Sequence, residues 1–183
     1  MDETRFRGLF DATYPALARY ARHRGLSRDD AEDLIASTYE VAWRRIDVVP
    51  DGDEALLWLY SVAFNQLRNL RRRARRDRDL TARLPALEVV PAPTESDESS
   101  VAAIRRALDS LGANDRELIL LIAADGLTAA QAGAVIGCGA VATRTRLHRA
   151  RKRLAAVLES DPGMQRPGSI RHEQKGKPWE ALT

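Results

Sequence analysis

The side chains of this sequence offer little to covalent chemistry. His23, His148 and His172 are its three histidines, and their separations match no metal-ligand pattern. Cys138 is the single cysteine, which excludes an internal disulfide and a Cys-rich zinc site. No Gly-rich phosphate loop and no Ser/His/Asp set suggests itself. An enzyme is therefore not expected, and neither is a cofactor or a metal. The residues that stand out are cations in two clusters: "LRNLRRRARR" at 67–76, and "ATRTRLHRARKRL" at 142–154. Arginine at helical spacing can bind phosphate, and it can pair bidentately with guanine. The chemistry on offer is recognition of a polyanion, and the competing reading is two solvated helix faces.

Charge and composition narrow this. Formal net charge is only +3, so the basic residues are segregated rather than numerous, and segregation is what favours nucleic acid. A hydrophobic fraction of 44% supports a core, with aromatics at only 5%. No apolar run is long enough for a membrane span, and the N-terminus lacks the apolar stretch of a signal peptide, so the chain reads as cytoplasmic.

The elements that must position the cations are helices. Phe6, Leu9, Phe10, Leu17 and Tyr20 recur at helical spacing, with Pro15 expected to kink or restart the helix. Ser27 with Asp30 approximates a capping box before a second helix, whose stripe runs through Ala31, Leu34, Ile35, Thr38, Ala42 and Ile46. "VPDGD" at 49–53 is a turn. A long helix follows from Glu54 to about Arg76, facing inward through Leu56, Tyr60, Ala63, Phe64, Leu67 and Leu70. Trp43 and Trp58 read as core.

Residues 84–100 carry three prolines and an acidic, Ser-rich end, the composition of a flexible linker. Beyond it, Gly112 is expected to end one helix. Asn114 with Glu117, and Thr128 with Gln131, have the spacing to cap the next two. Gly126 and Gly137 are expected to stop them. No β-alternation is visible. The expected fold is all-α: two small helical domains, 1–80 and 101–158, joined by a flexible linker at 81–100. A tail at 159–183 reads as disordered.

A short capped helix, a glycine-bounded turn and a longer basic helix make helix-turn-helix grammar over 128–158. On the last helix Leu147, Ala150, Leu154 and Val157 face inward. Arg144, Thr145, His148, Arg149 and Lys152 share the opposite face, as a major-groove reader requires.

Together these segments resemble a known family. "DAEDLIASTYEVAWRRI" followed by "LLWLYSVAFNQLRNLRRRARR" is similar to region 2 of bacterial RNA polymerase sigma factors of the extracytoplasmic-function (ECF) type. Residues 101–158, with "LDSLGANDRELILL", "GLTAAQAGAVIG" and "RLHRARKRL", resemble region 4 of the same family. The resemblance implies a protein that binds core RNA polymerase, recognises promoter DNA and helps to open it. Region 4 would read the −35 element as duplex. Region 2 would read the −10 element as a single strand.

By position, Glu32, Asp33, Leu34 and Thr38 would lie on the polymerase-binding helix. Asn65 would stand near the pocket for a flipped-out base, with the loop 48–54 beside it. Arg68, Arg71, Arg72, Arg75 and Arg76 would follow the strand's phosphates. An anti-sigma factor, which restrains many members of the family, is a further expected partner; a membrane is not.

This sequence departs from the family where a Thr-Val pair is usual and Ala142-Thr143 stands instead. It departs again at Gln131, where Glu is common, and at Gly133, where Ala is common and glycine costs up to ~1 kcal/mol of helix propensity. The alternative reading is a stand-alone helix-turn-helix regulator. It accounts for 101–158 but leaves the region 2-like segments and their arginines unexplained.

Overall fold

The computed structural model describes residues 2–81 and 97–160, with side chains over 2–73 and 101–160. Among the described residues there are seven α-helices and no strand. Two further expectations, the linker over 84–96 and the tail from 161, lie outside the described residues.

Helices α1 (Asp2–His23), α2 (Arg28–Arg44) and α3 (Asp53–Thr81) pack on one another and form the N-terminal unit. α1 is one helix with Pro15 inside it, so the proline does not restart the chain as a new element. Its Thr13, Ala16, Leu17, Tyr20 and Ala21 are buried, while Phe6, Leu9 and Phe10 pack against the edge of the core. Ser27 caps α2 as its spacing suggests. The Ser27 hydroxyl accepts the Asp30 N–H at 3.1 Å and donates to the Asp30 carboxylate at 2.7 Å. Between α2 and α3 the chain makes one 3-10 turn, Ile46–Val48, and then a bend at Pro50–Gly52. Gly52 has φ +63°, a conformation that glycine adopts without steric cost.

The C-terminal unit contains α4 (Asp97–Asp109), α5 (Ala113–Ala123), α6 (Ala129–Val135) and α7 (Ala140–Ser160). α4 begins inside the stretch read as linker, so 97–100 are helical. The Thr128–Gln131 capping box is complete: the Thr128 Oγ1 accepts the Gln131 N–H, and the Gln131 Oε1 accepts the Thr128 N–H at 2.9 Å. The cap expected from Asn114 and Glu117 does not form. Gly112 occupies the N-cap of α5 without a side-chain bond, and the Glu117 carboxylate is buried elsewhere.

Gly133 has a reason that helix propensity does not show. A Cβ there would lie 2.4 Å from the Thr143 Oγ1 and 3.1 Å from the Cys138 carbonyl oxygen, because α6 and α7 meet at this point. The Thr143 hydroxyl is itself held, donating to the Cys138 and Gly139 carbonyls at 3.2 and 3.1 Å. Glycine on α6 thus makes room for Thr143 on α7. Gly133→Ala should destabilise the helix-turn-helix by about 1–3 kcal/mol despite alanine's better helix propensity. Pairing it with Thr143→Ala should cost less than the two changes summed. Thermal melts of the four variants check this, and simple additivity would contradict it.

The two units are packed together. α6 lies on α3, and one hydrophobic cluster continues from Leu17, Leu59 and Leu67 into Leu118, Leu121, Val135 and Ile136. Across this junction Arg24, at the end of α1, is buried with Glu117 and Asp125 from the second unit.

Candidate nucleic-acid interface

The exposed face of α7 follows from its buried one. Thr143, Leu147 and Ala150 are buried, which turns Arg144, Thr145, His148, Arg149 and Lys152 outward; all five are exposed. The Thr145 hydroxyl donates to the Val141 carbonyl at 3.1 Å, and Arg146, off this stripe, reaches Asp115 at 3.4 Å. The outward stripe remains available to a ligand. Val141 adds an apolar group at the helix start, 70% exposed.

On α3 the inward residues Leu59, Tyr60, Ala63, Phe64 and Leu67 leave Asn65, Arg68 and Arg72 exposed, at spacings of three, four and seven. The Arg68 guanidinium lies 5.6 Å from the Phe64 ring centroid, a cation–π contact that orients it. Arg71 is different. It points toward the junction between the units, where burial lowers its pKa and the neighbouring Arg116 lowers it further. Arg75 and Arg76 lie on the helix beyond the residues with described side chains.

On α2, Glu32 and Asp33 are exposed, but Leu34 and Thr38 are not. Leu34 is 3% exposed and Thr38 0%, with the Thr38 hydroxyl donating to the Leu34 carbonyl at 2.7 Å. These two are enclosed by the protein's own packing, whereas their acidic neighbours Glu32 and Asp33 face outward. Asp33 and Glu40 rim a groove of about 620 Å³ whose other wall is Gln66, Asn69, Leu70 and Arg73 of α3. Trp58 packs against the core as expected. Trp43 does not enter it: the ring is 47% exposed and meets Phe6 edge-on, 5.1 Å between centroids.

The residues that sequence reasoning missed lie at the junction between the units. The Arg24 guanidinium donates to the Glu117 Oε1 from Nε at 3.2 Å and from Nη2 at 2.7 Å, and from Nη1 to the Asp125 Oδ2 at 2.7 Å. The Tyr20 hydroxyl donates to the same Glu117 oxygen at 2.8 Å, and His23 meets Asp125 at 2.9 Å. Burial, with Glu117 beside it, pushes the Tyr20 pKa well up, so the phenol stays a donor. Burial pulls the Arg24 pKa down, but Glu117 and its other neighbours more than offset this and the net direction is up. The only sequence signal for the network was an acidic residue at a capping position that another residue fills. Among the described residues, no group of His, Cys, Asp and Glu could hold a metal ion, and no helix is long and apolar enough to cross a membrane.

Comparison with known proteins matches both units. Residues 9–77 match the family described as Sigma-70 region 2, and residues 102–154 match Sigma-70, region 4. The RNA polymerase sigma factor NccH of Alcaligenes xylosoxydans xylosoxydans is 29% identical over 170 residues, 87% of this chain and 89% of that protein. The ECF RNA polymerase sigma factor ShbA of Streptomyces griseus is 31% identical over 82% of this chain and 86% of its own length. Among solved structures, the sigma factor RpoE in complex with the anti-sigma factor NepR from Bartonella quintana superposes with a TM-score of 0.65 at 29% identity, covering 85% of this chain and 98% of that one. CnrH in complex with the cytosolic domain of CnrY gives 0.60 at 28% identity, over 85% of this chain and 88% of that one. A stand-alone helix-turn-helix regulator has no place for the region 2 match, and the chain belongs to the RNA polymerase sigma factors of the ECF type, which direct RNA polymerase to promoters.

Proposed function

We propose that the two exposed basic faces divide promoter recognition between them, in a cytoplasmic factor that acts only with core polymerase. The α7 stripe of Arg144, Thr145, His148, Arg149 and Lys152 enters the major groove of the −35 duplex. Asn65, Arg68 and Arg72 on α3 take the −10 strand, with Asn65 offering donor and acceptor to a flipped base. The observation that carries this reading is that each stripe lies outward on a helix whose opposite face is core, within a unit matched to the corresponding sigma region. Run-off transcription with core polymerase over a promoter library tests it. Defined start sites that depend on both elements are expected. Transcription indifferent to either element would overturn the division of labour.

The acidic rim of α2 is the polymerase contact in this reading. Asp33→Arg reverses an exposed charge without emptying the core. It should slow association with core polymerase by roughly tenfold, an effect that shrinks in high salt. Unchanged association with native circular dichroism would place the contact elsewhere.

Packing of the two units fits a form that is not engaged on a promoter. The −35 and −10 elements are about 25 base pairs apart by their names, roughly 85 Å of duplex at about 3.4 Å per pair. A compact chain of this size has a radius of gyration of roughly 16 Å and a diameter near 40 Å. Both faces can serve one promoter only after the units part. Arg71 is released for the strand by the same movement. An anti-sigma partner is consistent with this arrangement, since the sigma factors RpoE and CnrH, in their complexes with NepR and CnrY, match this chain across both units.

A further inference from the structure

The loop between α2 and α3 is tied to α1 through one side chain. The Arg5 Nη1 donates to the Ile46 carbonyl at 2.7 Å, and its Nη2 donates to the Val49 carbonyl at 2.7 Å and to the Asp51 Oδ1 at 2.9 Å. Among the described residues these are the only hydrogen bonds that join 46–52 to another part of the chain. The others are local, from Val48 N–H to the Arg45 carbonyl and from Ala55 N–H to the Gly52 carbonyl. Ile46 and Val49 are buried and anchor the loop's inner side, while Val48 between them is 64% exposed. Beneath the loop, between it and α1, is an open cavity of about 400 Å³ lined by Arg5, Leu9 and Thr13 on one side and by Val49, Pro50 and Asp51 on the other. The Arg5 side chain spans this cavity and ties the loop to α1.

The strand-facing stripe of α3 runs toward this loop. From Arg72 back through Arg68, Asn65 and Ser61, at three- and four-residue spacing, the stripe runs toward the N-terminal end of the helix, where the loop ends. Asn65 stands roughly 18 Å along the axis from Asp53, at about 1.5 Å per residue, a span of a few nucleotides. A strand laid on this stripe meets the loop.

We propose that Arg5 is a positioning residue for −10 recognition, holding the 46–52 loop at one height so that its exposed edge meets the same base in each complex. The proposal rests on the reading of α3 as the strand-binding helix. The planar guanidinium is needed because it serves two carbonyls at once, and a lysine ammonium on a flexible stem does not reproduce that fork. The Asp51 pair is secondary, since that carboxylate is 91% exposed.

The test uses the full chain as holoenzyme, transcribing a library randomised at the −10 and −35 elements, with thermal melts and core-polymerase affinity measured alongside. Arg5→Ala should reduce base preference at −10 by about tenfold, the size of one base discrimination. Core affinity and −35 preference should remain within about twofold. Arg5→Lys should show the same selective loss, reduced to roughly threefold, and it decides the matter if Arg5→Ala folds poorly. Wild-type −10 preference in Arg5→Lys, or an equal loss at −10 and −35 that tracks the melting temperature, overturns the positioning role. If the wild type itself shows no −10 preference, the strand-binding reading of α3 fails and the proposal with it. A wild-type preference that survives both Arg5 variants removes only the proposal.

Discussion

Arg24→Ala should open the molecule without unfolding either unit. Arg24 supplies the cation for two carboxylates whose side chains are 1% exposed, Glu117 and Asp125. A buried ion pair is weak evidence of net stabilisation, but removing one partner leaves uncompensated charge, at a cost of about 3–5 kcal/mol. The packed form need not absorb that cost. Parting the units hydrates both carboxylates, while Leu17, Leu59 and Leu67 keep the N-terminal helices together and Leu118, Leu121 and Leu147 lie within the C-terminal ones. The equilibrium should move toward the parted form by about two to three and a half powers of ten. Small-angle scattering should report a larger radius of gyration with unchanged helix content. Glu117→Gln should act more mildly, since an amide oxygen can still accept from Tyr20 and Arg24 keeps Asp125. An Arg24→Ala protein as compact as the wild type would show that apolar packing alone holds the units.

Arg149→Ala and Asn65→Ala should separate two steps of promoter use. Arg149 is exposed on α7, on the stripe opposite Leu147 and Ala150. Loss of a bidentate base contact costs about 1–3 kcal/mol, so holoenzyme binding to a −35 duplex should weaken by roughly five- to 150-fold and lose preference at one base pair. If Arg149 touches phosphate instead, the loss should be equal for all sequences and the salt slope should fall by about one unit. Asn65→Ala should leave duplex binding alone. It should impair capture of the −10 single strand, seen as weak permanganate reactivity at the start site. The two defects need not add in transcription, because both act on one assembled complex. Normal opening by Asn65→Ala would leave Asn65 as a surface residue without a part in base reading.

The two outward basic stripes were legible in the sequence because each is a property of a single helix. The period of Leu147 and Ala150 says where Arg149 points, and the period of Ala63, Phe64 and Leu67 says the same for Asn65 and Arg68. The Thr128–Gln131 cap was readable for a similar reason: its two bonds lie within one turn. Where local pattern gave the wrong answer, a longer contact had taken the residue. Glu117 has the spacing of a cap, but its carboxylate accepts from Tyr20 and Arg24 instead, 97 and 93 residues away. Leu34 and Thr38 were expected on a partner-facing helix surface, yet packing on α1 and α3 turns both inward.

The sequence by itself determined the helices, the caps at Ser27 and Thr128, the two outward basic stripes and, through the family resemblance, the region order of a sigma factor. Only the tertiary structure decided that the units pack together, that Arg24 is buried between them, that Gly133 and Thr143 are one fit, and that Arg5 reaches a loop 41 to 46 residues away. Periodicity reports which side of a helix avoids water, and that is fixed by neighbours three or four positions apart. Which helix then covers that side, and which charge meets which carboxylate, depends on docking between distant segments, for which a local pattern carries no signal.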